Sequence, residues 1–312
     1  MLSPRLPPRD SRQIPAVRAC VIFNPTAKGD KARRFRRQLD ALQADCAFKP
    51  TTGVGAARAL AAEAVREGFD TIVATGGDGT VNEVLNGIGD EPDGFARVRL
   101  GVIPLGTANV FARELRIPRN VKRAWTVLRE GRETAVDLPV AEFVRGGRTE
   151  RRYFGQLAGA GLDARAVELV DWSLKKRTGF AAYILAGLKA VAEEHGEITA
   201  TGGGQSVGGE QVLIGNGRLY GGPFVVFPKA DPCDGLLDVC VFPRVNWATV
   251  AACLWGLVTN RLSRSADARH FQAEAVSLTS TRRTPLELDG EAAGELPVKF
   301  FLRRRALRVI AP

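Results

Sequence analysis

No stretch of this 312-residue sequence is both long and apolar enough to span a bilayer. The two longest apolar runs, 180–192 (FAAYILAGLKAVA) and 247–259 (WATVAACLWGLVT), fall short of the roughly 18 residues a spanning helix needs. The opening residues, MLSPRLPPRDSRQIP, lack the apolar core of a secretion signal and read as a disordered basic leader over 1–16. Cysteine is scarce. The five (Cys20, Cys46, Cys233, Cys240, Cys253) are odd in number, widely spaced and without a CxxC pair. That excludes a disulfide framework or zinc cluster and fits reduced, packed thiols in a cytoplasmic protein. There is no internal repeat. The GxxxxGK[ST] phosphate loop is missing, and the GxG at Gly53 and Gly55 lacks the final glycine of a dinucleotide fingerprint, which argues against P-loop NTPases and Rossmann dehydrogenases.

What is there is ordinary in amount and uneven in place. Hydrophobic residues make up 45% and charged residues 25%, as in globular proteins with a proper core, and the length suits two domains. The net charge is +10, which calls for an anionic partner: a nucleotide, an anionic membrane or nucleic acid. Residues 1–37 hold ten basic and two acidic side chains, so most of that charge is local. The cluster has no interleaved aromatics and no recognisable nucleic-acid module, which disfavours nucleic acid.

Over 17–138, short apolar runs (20–24, 71–75, 100–104) alternate with helix-length segments (31–44, 57–67, 80–88, 108–115, 121–129). This predicts an α/β domain built on a parallel sheet. Over 139–312 the texture becomes β-rich, with runs at 153–157, 211–216, 224–227, 236–242, 275–279, 285–288 and 298–302. Helices are expected near 163–173, 180–194 and 247–259. The prediction is a largely antiparallel β domain with a few helices, whose last strand stays within it or returns to the first domain.

In doubly wound sheets the chemistry sits in loops at the carboxyl ends of strands. Three such loops contain glycine and run into helices: Asn24-Pro25-Thr26-Ala27-Lys28-Gly29, Gly76-Gly77-Asp78-Gly79-Thr80, and Pro104-Leu105-Gly106-Thr107-Ala108-Asn109. In the second, the glycines let backbone N–H groups approach phosphate oxygens, and the following helix adds its positive end. Asp78 would repel a phosphate unless a cation such as Mg2+ lies between them. The bland alternative is a tight turn with Asp78 as helix N-cap.

In order and spacing, NPTAKG, GGDGTVNEVLNGI and PLGTANVFARELRIP, followed by GNGRLYGGPFVVFPKADPCDGLLDV (215–239) and LELDGE (286–291), resemble the diacylglycerol kinase and sphingosine kinase superfamily. The bacterial lipid kinases are the nearest group. The resemblance covers nearly all of the chain after residue 17. It implies an ATP- and Mg2+-dependent lipid kinase with a nucleotide-binding α/β domain of the NAD kinase and diacylglycerol kinase type. Asn24, Pro25, Thr26 and Thr51 would line ATP. Gly76, Gly77, Asp78, Gly79, Thr80, Asn82 and Glu83 would cradle its phosphates, Glu83 reaching the nucleotide, and Thr107 would lie against ribose or phosphate. Asp78 would join the Mg2+ and water network. Asp231, Asp234 and Leu236 match a structural Mg2+ site. Asp289 or Glu291 would supply the catalytic base, a choice the sequence leaves open. One position departs from the pattern: Val110 stands where many bacterial relatives carry an Asp.

A lipid acceptor requires an apolar wall. Phe180, Tyr183, Ile184 and Leu188 share one helical face behind Lys175, Lys176 and Arg177, which suits an anionic membrane or an ordinary core helix. Lys31, Arg33, Arg34, Arg36 and Arg37 form an exposed basic face opposite a stripe of Phe35, Leu39 and Leu42. The expected partners are ATP, a lipid substrate, an anionic membrane touched peripherally and a second copy of the chain. Two other readings remain: an NAD kinase, which shares GGDGT, and a non-catalytic lipid or nucleotide sensor.

Overall fold

A computed structural model describes residues 18–25, 35, 46–169, 190–193, 195–259 and 268–312. The leader, the helix expected over 31–44 apart from Phe35, its basic face, Thr26 and the 170–189 stretch with its lysines and apolar face lie outside the described residues.

Strands β1 (Ala19–Phe23), β2 (Cys46–Pro50), β3 (Thr71–Gly76) and β4 (Arg99–Pro104) run parallel in the order β2-β1-β3-β4. They alternate with helices α1 (Ala56–Arg66), α2 (Asp78–Gly89), α3 (Gly94–Arg97), α4 (Val110–Glu114) and α5 (Val121–Glu130). The strands are apolar at successive positions because both faces are covered. Cys20, Ile22, Ile72 and Leu100 pack with Ala61 and Val65 of α1 and Val84, Leu85 and Ile88 of α2. Val21, Phe23, Val73 and Ile103 face the other way, onto Phe35 and Val121. Phe35 is buried, as its place in the apolar stripe predicts.

The remainder is a β-sandwich. One layer contains β7 (Leu157–Ala160), β10 (Gln211–Gly215), β13 (Leu237–Phe242), β14 (Arg269–Ala273), β16 (Pro285–Leu288) and β17 (Glu291–Glu295), antiparallel in the order β14-β13-β10-β7-β16-β17. The other extends the first sheet past β4 through β18 (Val298–Ala311), β15 (Ala275–Ser280), β8 (Ile198–Gly202) and β9 (Gln205–Gly209), with β5 (Arg132–Arg145) and β6 (Arg148–Tyr153) attached to β18. Phe143, Phe154, Ile214, Val239, Leu278, Leu286 and Phe300 fill the space between the layers. Helix α6 (Leu162–Leu169) follows β7, the short pair β11 (Leu219–Tyr220) and β12 (Phe224–Val225) follows β10, and α7 (Trp247–Thr259) follows β13.

β18 pairs with β15 at one end, lies parallel to β4 at Val309 and Leu100, and runs antiparallel to β5 from Val298 opposite Phe143 to Ala311 opposite Arg132. β5 itself passes unbroken through position 138.

Candidate active site

The strand order places a topological switch between β1 and β3, since the chain leaves β1 toward β2 and returns on its other side at β3. Ligands of open α/β sheets bind in the crevice at that point. The second glycine-containing loop opens there, the third follows β4 beside it, and of the first loop Asn24 and Pro25 are described, at the end of β1. Thr51 donates its N–H to the carbonyl of Phe23 (2.8 Å), which brings it beside Asn24 and Pro25 at the end of β1. Leu105 and Gly106 both donate to the Gly76 carbonyl, at 2.8 and 3.2 Å. A side chain on Gly106 would meet the Gly77 Cα at 2.5 Å, so the second and third loops touch backbone to backbone. Thr107 is exposed at the rim, its carbonyl bonded by Arg119 at 3.1 Å.

Helix α2 starts one residue earlier than the bland reading requires. Gly77 is the N-cap, it offers no side-chain cap, and Asp78 is the first helical residue. The N–H groups of the first turn are therefore left to a ligand, the arrangement that binds phosphate. The Thr80 side chain lies over Gly76, where an added Cβ would meet its Oγ1 at 2.2 Å. The Asp78 Oδ1 accepts the N–H of Phe111 (3.2 Å) at the start of α4, the turn that carries Val110. Burial, together with the charge of Asp289, raises its pKa.

Where the resemblance puts Glu83 on the nucleotide, the structure has its two oxygens on the N–H groups of Gly55 and Ala57, each 2.9 Å away, at the start of α1. Asn82 also points inward. Its amide donates to Asp289 Oδ2 (2.9 Å), the first link between the α/β sheet and the sandwich.

Asp289 and Glu291 occupy the turn between β16 and β17, and they separate sharply. Asp289 adopts φ 51°, and its two oxygens accept four N–H groups: Gly155 (2.7 Å), Gln156 (2.9 Å), Leu157 (3.1 Å) and Asn82. Burial raises its pKa while those four bonds oppose the rise. Glu291 reaches the phosphate cradle instead. A Cβ placed on Gly79 would meet its Oε1 at 2.4 Å, so the glycine makes room for that carboxylate.

Asp231 and Asp234 share one turn, each with an oxygen on a backbone N–H two residues ahead, Cys233 and Leu236, both at 2.9 Å. The turn is held by Asp137, a residue the motif reading missed. Buried in β5, it accepts from Gly235 (2.7 Å) and Arg305 (2.6 Å). Burial and the charges of Asp231 and Asp137 raise the pKa of Asp234. The Asp231 and Asp234 carboxylates of this turn are hard oxygen donors of the kind that suits Mg2+. No group of three or more His, Cys, Asp or Glu placed to hold a metal occurs among the described residues.

Other contributors also went unnoticed in the sequence. Asn86, one turn after Asn82, donates to the Tyr153 carbonyl (2.9 Å) and accepts its N–H (3.0 Å). Two asparagines four apart among the apolar residues of one helical face were the available signal. Arg113 bonds the Ala108 carbonyl (2.7 Å), so with Arg119 it brings two guanidinium groups to the third loop.

Comparison with known proteins shows the family. Residues 18–141 match the diacylglycerol kinase catalytic domain, and residues 156–311 match the YegS C-terminal NAD kinase beta sandwich-like domain. Diacylglycerol kinases of Staphylococcus aureus strains bovine RF122 / ET3-1 and MRSA252 are each 31% identical over 310 residues, covering 95% of this chain and 92% of theirs. The chain belongs to the diacylglycerol kinase family. A solved structure from Bacillus anthracis str. Sterne, assigned as a diacylglycerol kinase, superposes with a TM-score of 0.77 at 25% identity over 95% of each chain. This diacylglycerol kinase family member is thus a lipid kinase whose GGDGT loop and LDGE turn come together.

Proposed function

We propose that the chain transfers the γ-phosphate of ATP to the hydroxyl of diacylglycerol, giving phosphatidic acid, in an ATP- and Mg2+-dependent reaction. The observation that carries this reading is the Glu291 carboxylate lying over Gly79 at the uncapped start of α2. A base beside a phosphate cradle is what phosphoryl transfer to an alcohol needs. The polyphosphate would rest on the N–H groups of the first turn of α2, with the nucleoside toward Asn24, Pro25, Thr26 and Thr51, and Thr107 at the rim.

As the new O–P bond forms and the bond from the γ-phosphorus to the β,γ-bridging oxygen breaks, Glu291 takes the acceptor's hydroxyl proton. Asp289 has its acceptor capacity filled by four N–H groups. Its part is to hold the turn. Mg2+ would neutralise phosphate charge with Asp78 in its water network, and a second ion would be held by Asp231, Asp234 and the Leu236 carbonyl to stiffen their turn. Arg113 and Arg119 add positive charge at the third loop.

The acceptor resides in a bilayer, and α7 offers the surface to meet it. The helix carries no charged residue, and Trp247 and Trp255, two turns apart, are 58% and 70% exposed. Tryptophan favours the membrane interface. No helix among the described residues is long and apolar enough to cross a membrane. Peripheral contact from the cytoplasmic side, aided by the chain's net charge of +10, fits both facts.

The test is mass-detected phosphate transfer from ATP to a panel of diacylglycerol, monoacylglycerol, sphingoid base, ceramide and phosphatidylglycerol. Diacylglycerol is expected to be phosphorylated fastest. Preference for another acceptor would overturn the substrate assignment, and no transfer to any would overturn the catalytic one.

A further inference from the structure

Beneath the LDGE turn lies a polar cluster that the proposed reaction does not use. Glu287, on β16, is 1% exposed. Its Oε2 accepts the N–H of Gly290 at 2.6 Å, inside the turn that carries Glu291. Its Oε1 is buried with no hydrogen-bond partner. Across from it stands Asp163, in the first turn of α6, whose Oδ1 accepts the hydroxyl of Tyr220 at 2.7 Å.

The two carboxyl groups meet over Gly159 of β7. A Cβ there would be 2.8 Å from Glu287 Oε1 and 2.9 Å from Asp163 Oδ2, so the glycine leaves the space in which the two oxygens face each other. No lysine, arginine or histidine pairs with either carboxyl among the described residues. The other groups facing them are Tyr220 from β11, Asp289 from the turn and, behind Tyr220, Cys253 from α7. None of these is a cation. Two facing carboxylates without a counter-ion cannot both be ionised in a buried site.

We propose that Asp163 and Glu287 share one proton, carried by Glu287 Oε1 and donated to Asp163 Oδ2, and that this acid pair is a positioning element for the Asp289-Gly290-Glu291 turn. The proton gives Oε1 the partner it lacks. It belongs on Glu287 because Asp163 already has the Tyr220 hydroxyl and the positive end of α6 to favour its charge. Burial and the proximity of Asp163 raise the Glu287 pKa well above the usual carboxylate range, in the same direction. Above that pKa the second charge appears, the carboxylates repel, and Gly290 loses its anchor. The role in turnover rests on the lipid kinase reading; the shared proton does not.

A folded-state proton absent from the unfolded chain makes stability fall as pH rises from the ordinary carboxylate pKa toward the raised one. Glu287→Gln keeps both hydrogen bonds with no proton to lose. Urea unfolding from about pH 5 to about pH 9 should show the folding constant of this variant, divided by that of the wild type, rising about tenfold per pH unit within that window. A flat ratio overturns the shared proton. In the kinase assay Glu287→Gln should keep kcat within a few-fold at neutral pH and lose the wild type's alkaline decline, whereas Glu287→Ala should lose kcat with little change in KM. An unchanged alkaline decline in Glu287→Gln overturns the positioning role. Asp163→Asn should flatten the stability profile in the same way and serves if Glu287→Gln does not fold. Should neither fold, absence of a protonated-carboxyl infrared band in the wild type at neutral pH overturns the pair. A wild type that phosphorylates no lipid refutes the kinase reading and leaves the unfolding ratio to decide this one.

Discussion

Replacing Asp289 by Asn would set an amide N–H against backbone N–H groups of Gly155, Gln156 and Leu157 that now share a carboxylate. At least one donor must then go unsatisfied, at a cost of about 1–3 kcal/mol. Urea unfolding of Asp289→Asn should show that loss, while the wild-type midpoint would mean these bonds contribute nothing. The turn was legible as LDGE, and the different settings of its two carboxylates were not. Two carboxylates two residues apart look equivalent in sequence, and only the broken segment 154–156, read as part of one continuous strand over 153–157, reveals which of them the backbone holds. Its N–H groups leave the ladder to serve Asp289. Glu83 was hard to place from sequence for a related reason: its two oxygens accept the N–H groups of Gly55 and Ala57, which are remote in sequence.

Elements with strong periodicity were readable, and those at edges or with polar faces were not. The apolar runs of β1, β3 and β4 announced a buried parallel sheet. β2, with the sequence CAFKP, is an edge strand with half-buried side chains and gave no signal. The glycine-rich segment 202–209 forms the tip and second strand of the β8-β9 hairpin, with Gly203 and Gly204 at φ 57° and 75° in its turn. Helix α7 was expected, and on the proposed reading its exposed tryptophans would meet the membrane. Changing both Trp247 and Trp255 to Ala should weaken binding to diacylglycerol-containing anionic vesicles about tenfold or more, given the apolar area each ring buries. Equal sedimentation of variant and wild type would remove α7 from the membrane contact.

The whole molecule has two functional halves joined by a shared ribbon. β18 and β5 lie side by side over most of their lengths, and both core clusters draw residues from them: Val136, Leu138, Leu307 and Val309 in one, Ala141, Phe143, Val298 and Phe300 in the other. A sequence cannot show this, since β5 and β18 are more than 150 residues apart. Calorimetry should accordingly give a single unfolding transition, and two resolved transitions would contradict the coupling.

That coupling is what brings the Glu291 turn of the sandwich onto the Gly79 loop of the α/β sheet. The most direct test is ATP-dependent phosphorylation of diacylglycerol by Glu291→Gln beside the wild type, with folding checked by its unfolding midpoint. A base role predicts a rate about 10²–10⁴-fold lower at an unchanged midpoint. A folded Glu291→Gln variant with wild-type turnover would contradict it.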